Sequence, residues 1–150
     1  MDDVIKKVLA NILTIVNSSS LSEFFIEAVL IRLVSFGYIL KEDDDWSICF
    51  AMQKVENQIK NSCNTTSIPD GLFHVAVDNV CGEFLFAKKA TGKLEIDDLD
   101  FEGAVKQISE GDVTITFADG ASDEDRFNQF INHLMTLEEG DLVCFRKLQW

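Results

Sequence analysis

Residues 68–95 read IPDGLFHVAVDNVCGEFLFAKKATGKLE, and the architecture follows from how this stretch is arranged. Ile68-Pro69-Asp70-Gly71 forms a turn, since proline fixes φ and glycine relieves it. Beyond the turn, Phe73, Val77, Val80, Phe84 and Ala87 recur at helical spacing. A second stripe of Leu72, Ala76 and Leu85 widens the buried face of that helix. Lys88 and Lys89 occupy its last turn, where cations suit the negative end of the helix dipole, and Gly92 closes it.

Working outward toward residue 1, the same helical period returns. Residues 2–16 place Val4, Ile5, Val8, Ile12 and Val16 on one face, with Asp2 and Asp3 at the N-terminal end. Asn17-Ser18-Ser19-Ser20 breaks that pattern and is expected to cap the next helix. Residues 21–36 are so rich in Leu, Phe, Val and Ile that the helix is expected to be largely buried, with Gly37 as its stop. The acids of residues 41–45 then start a helix carrying Ile48, Met52, Val55 and Ile59, ending near Asn61-Ser62.

Toward residue 150 the period changes. Residues 95–102, EIDDLDFE, read as an acidic loop. Val113, Ile115 and Phe117 alternate with Thr114 and Thr116, and Gly111 sits in a turn, which predicts a β-hairpin at about 104–117. Ser122 and Asp125 form a capping box for a last helix faced by Phe127, Phe130, Ile131 and Leu134. The predicted fold is mainly α: a helical bundle of four to five helices over residues 1–141, one inserted β-hairpin, and an extended tail at 142–150.

Composition narrows the function classes. A chain of 150 residues that is 47% hydrophobic supports one domain with a packed core. Its net charge of −13 disfavours binding to phosphate backbones and to anionic membranes. No apolar stretch reaches the length of a membrane span, and MDDVIKK puts acids ahead of any cation, unlike a signal peptide. Cys49, Cys63, Cys81 and Cys144 form no CxxC pair, and the three in apolar helical patterns read as small hydrophobes. The expectation is a protein made in the cytosol, with no cofactor and no bound metal.

Enzyme signatures are missing: no phosphate-binding glycine loop, no HExxH, no GxSxG. His74 and His133 lie far apart and neither has a nucleophile close in sequence. Residues 93–125 hold eleven acids against Lys93 and Lys106, a net of −9 out of the total −13. Asp97, Asp98, Asp100 and Glu102 lack the central glycine and terminal glutamate of a calcium loop. A solvated face, or a surface that sits beside DNA without gripping it, suits such a run better. The closing LVCFRKLQW combines aromatic and cationic residues enriched at interface hot spots, so it either folds onto its own domain or serves a partner.

Four stretches together resemble the head–tail connector (adaptor) proteins of tailed bacteriophages. They are residues 68–95, FEGAVKQISEGDVTITFADG (101–120), DRFNQFINHL (125–134) and FRKLQW (145–150). The family shares a helix with a Gly-Glu-Phe-Leu core, an "EGD…TF" hairpin and an Arg-Arg-Leu-Arg-Trp-like ending. Here that ending is Arg146-Lys147-Leu148-Gln149-Trp150, so two of the arginines are replaced. The likeness covers roughly residues 40–150.

The resemblance implies a structural protein of the virion neck, not an enzyme. It implies a homo-oligomeric, dodecameric ring beneath the portal protein, extending the DNA channel and carrying downstream neck and tail proteins. Double-stranded DNA would pass through without specific binding, and no membrane is involved. In that setting the docking tail is Leu142, Val143, Cys144, Phe145, Arg146, Lys147, Leu148 and Trp150. The channel-facing acids are drawn from Glu95, Asp97, Asp98, Asp100, Glu110 and Asp112. The alternatives are an acidic DNA-mimic inhibitor of a host nuclease and a tail-side neck completion protein.

Overall fold

The computed structural model describes residues 3–16, 21–94 and 123–135. The described chain is mainly helical, with five α-helices and, among the described residues, no strand. They are α1 (Asp3–Ile15), α2 (Glu23–Ser35), α3 (Asp45–Cys63), α4 (Phe73–Ala90) and α5 (Asp123–Met135). Short 3-10 turns at Glu42–Asp44 and Asp70–Leu72 lead into α3 and α4. The expected hairpin at 104–117, the acidic loop, the Ser122 cap and the tail at 142–150 lie outside the described residues.

The helix ends follow local chemistry. The side chain of Ser22, not residues 17–20, caps α2 by accepting the Phe25 N–H at 3.2 Å. Gly37, at φ 92°, ends α2 as expected: its N–H donates to Val34 O and that of Tyr38 to Leu33 O. Gly92, at φ 73°, repeats the motif after α4. Asn64 takes the left-handed conformation that stops α3.

α4 lies at the centre, contacted by α2, α3 and α5, while α1 packs on α2 and α3. The predicted faces of α3 and α5 are buried, through Ile48, Met52, Val55 and Ile59 and through Phe127, Phe130, Ile131 and Leu134; on α1, Ile5, Val8 and Ile12 are buried, with Val4 and Val16 half-buried at its ends. Each large side chain removed from water contributes about 1.5–3 kcal/mol. Phe36 meets Phe130 edge-on at 5.0 Å between ring centroids, and Tyr38 meets Phe84 in the same way at 5.3 Å. On α4, Val77, Val80, Phe84, Ala76 and Leu85 are buried, as is Leu72 in the preceding turn, but Phe73 is half-buried and Ala87 is exposed.

α5 runs antiparallel to α4. Lys89 pairs with Glu124 near one end at 3.6 Å, and Asn79 donates to the Met135 carbonyl at 2.8 Å near the other. Asn79 thus satisfies a carbonyl orphaned at the helix end. Gly82 lets the two helices meet, because a Cβ there would stand 2.6 Å from Met135 Cγ and 3.0 Å from Leu134 Cβ.

One expectation fails. α2 is not largely buried: Phe25, Ile26, Val29, Leu30 and Leu33 enter the core, but Phe24, Ile31 and Val34 stay exposed. The helix is apolar around most of its circumference, and the core covers only one side.

Candidate functional site

The residues expected to dock on a partner or to face a channel fall outside the described part of the molecule. Glu95, Asp97, Asp98, Asp100, Glu110, Asp112, residues 142–148 and Trp150 all lie outside the described residues. The helices themselves present two surfaces and one buried charge pair.

The first surface is a groove of about 590 Å³ between α2 and α4. Its apolar walls are Phe24, Ala28, Ile31, Phe73 and Val77. Phe24 stacks on Phe73 at 5.3 Å and 21°, and Phe25 meets the same ring edge-on from the core side. Arg32 donates from Nε to Asp78 Oδ1 at 2.9 Å at the groove wall, and its guanidinium lies 4.8 Å from the Phe36 ring centroid. Glu27 and His74 complete the rim. His74 is exposed and edges the Phe73 ring, while His133 is half-buried on α5.

The second surface is the outward side of α3. Its exposed positions are Trp46, Phe50, Gln53, Lys54, Asn57, Gln58 and Asn61. None is acidic, although the chain carries 26 Asp and Glu. Trp46 and Phe50, one turn apart, contact at 6.2 Å and are 57% and 65% exposed. Lys54 bridges to Glu83 of α4 at 3.0 Å.

These two surfaces lie on opposite sides of α4. The groove uses His74, Val77 and Asp78 of α4, whereas the α3 side meets Glu83 and Ala87. At 3.6 residues per turn, the two sets point roughly half a turn apart.

The buried pair joins Asp44 to Lys88. Asp44 is fully buried in the 3-10 turn before α3, and Lys88 Nζ stands 2.6 Å from its Oδ1. Its Oδ2 accepts from Tyr38 Oη at 2.8 Å and from the Lys41 N–H at 2.9 Å. Burial, and then the hydrogen bond and charge of Asp44, push the Tyr38 phenol well above its usual range. This arrangement clamps the entry of α3 to the last turn of α4. The sequence placed Lys88 only on the helix dipole.

Cys49, Cys63 and Cys81 are buried thiols. Burial, with Asp45 adding its charge, raises Cys49 to about 11, and burial raises Cys81 well above the usual range. Among the described residues no group of three or more His, Cys, Asp or Glu could hold a metal ion. Among them, too, no helix is long and apolar enough to cross a membrane.

The exposed aromatics had a sequence signal that went unused. Trp46 and Phe50 fall opposite the Ile48–Met52–Val55–Ile59 stripe, and α2 carries more apolar residues than one buried face requires. Compared with family models, curated proteins and solved structures, the chain gives no match.

Proposed function

We propose that this chain is a structural subunit of a tailed-phage neck, a head–tail connector assembling as a ring beneath the portal. The observation that carries the reading is the ordered run of four stretches at 68–95, 101–120, 125–134 and 145–150. The described geometry gives physical meaning to two of them. In the Gly-Glu-Phe-Leu core, Gly82 makes room for α5, Glu83 holds Lys54, and Phe84 and Leu85 fill the core. The stretch at 125–134 supplies the α5 face that lies on α4.

In this reading the helical bundle, with an inserted hairpin at 104–117, is the body of the subunit. Residues 142–150 dock on the portal through Phe145, Arg146, Lys147, Leu148 and Trp150. The acids of 95–100, with Glu110 and Asp112, face the DNA channel and repel the duplex, since a basic lumen would grip phosphate. The subunit acts as scaffold and conduit, not catalyst. Two exposed aromatic faces on a small acidic body suit a protein that ends with neighbours on both sides.

The test is binding to purified portal rings of the same phage. The full chain should co-sediment with them and add a layer in negative-stain images, and a version lacking residues 143–150 should not. Failure of both, with competition against DNA for a host nuclease, would instead place the chain among acidic DNA mimics.

A further inference from the structure

We infer that the α2–α4 groove of one copy receives the Trp46–Phe50 face of the next, in a repeated head-to-tail contact. The inference rests on the ring reading and names the surfaces that would build the ring.

Three observations point to a second copy as the occupant. First, the two surfaces differ in shape: one is a groove between helices, the other a pair of protruding rings on one helix face. They sit on opposite sides of α4. A contact between unlike patches is heterologous, and it closes into a ring when the rotation between copies allows. Like patches would give a two-fold dimer.

Second, charge is compatible. The exposed α3 positions hold no acid, and Lys54 there is already bridged to Glu83, so Glu27 at the groove rim meets no like charge on that face. Depletion of charge around aromatics marks the centre of interfaces.

Third, the area is too small for a stable pair, so the contact holds only where several copies are brought together. Trp46, Phe50, Phe24 and Ile31 are 57%, 65%, 72% and 45% exposed. At about 150–250 Å² per aromatic side chain, the four offer roughly 500 Å². A stable two-body interface buries about 1,200–2,000 Å² in total. One such contact is weak by itself, but each ring subunit makes two, so closure favours the whole assembly.

The experiment uses the full chain with Cys144→Ser, leaving the buried thiols in place. One version adds Ile31→Cys and a second adds Phe50→Cys, and a short bismaleimide links thiols that approach. Mixing the two versions should give covalent dimers, each alone should stay monomeric, and the double variant should give a ladder. No mixed dimer overturns the inference, including the case where residues 142–150 of the same chain fill the groove. Linkage within a single version as abundant as in the mixture also overturns it, because that is a two-fold contact.

A second pair, Ile31→Glu and Phe50→Glu, is layered on portal rings. Burying an unpaired carboxylate should weaken assembly by about a hundredfold or more, with helical circular dichroism unchanged. If the unaltered chain and both variants layer equally well, the ring reading stands and this contact is wrong. If the unaltered chain does not layer at all, the ring reading fails, and the cross-linking result alone decides whether these faces meet.

Discussion

α1 and α2 have the same length, 13 residues, and are neighbours, yet they treat apolar side chains differently. α1 buries Ile5, Val8 and Ile12 and turns Lys6, Lys7 and Asn11 outward, with Leu13 as its one exposed large apolar side chain. α2 buries Phe25, Ile26, Val29, Leu30 and Leu33 and still shows Phe24, Ile31 and Val34. A helix that only needed to join this core would look like α1. Of that surplus, Phe24 and Ile31 line the groove with Phe73 and Val77, the surface we propose for contact.

The two sides of α2 should therefore separate in measurement. Leu30→Ala should cost about 3–5 kcal/mol in denaturant unfolding, because a fully buried leucine leaves a cavity. Phe24→Ala should cost under about 1 kcal/mol in the isolated chain while weakening assembly. Equal losses from the two would erase the distinction between the faces. A comparable loss, about 3–5 kcal/mol, is expected for Lys88→Ala, which strands the buried Asp44 carboxylate. If unfolding barely shifts, the clamp between α3 and α4 is not holding the platform of the groove.

Gly82→Ala should cost about 1–3 kcal/mol, since the new methyl meets Leu134 Cβ and Met135. Thermal melts that leave this variant unchanged would mean that α5 does not lie so close to α4. The smallest effect is alkaline. Tyr38, Cys49 and Cys81 all have pKa values raised by folding, so their contribution is complete below the unfolded values. It is lost as pH rises from about 8.5 upward. The melting temperature should fall through this range, and Cys49→Ala should flatten part of the decline. A rise in stability above pH 9 would reverse the sign of the account.

Much of the described fold was legible from periodicity. The stripes of α1, α3 and α5 and the stops at Gly37 and Gly92 fell where local spacing put them, because a helix period and a glycine turn are local properties. The Ser22 cap was missed because Asn17–Ser20 offered a more obvious cluster of capping residues. The Asp44–Lys88 pair could not be read, since it joins residues far apart in sequence. Hydropathy also misjudged Phe24 and Ile31: an apolar side chain looks the same whether a core or a neighbouring subunit covers it. The acids between Glu95 and Asp112 and the 142–150 segment remain expectations of the sequence, outside the described residues.

The most direct measurement is hydroxyl-radical footprinting of the free chain and of the chain layered on portal rings. Phe24, Ile31, Trp46 and Phe50 should lose labelling together in the assembly, while Leu13 on α1 keeps its free-state value. Unchanged labelling of Phe24 and Trp46 in a fully formed layer would contradict the claim that α2 and α3 carry the faces that meet.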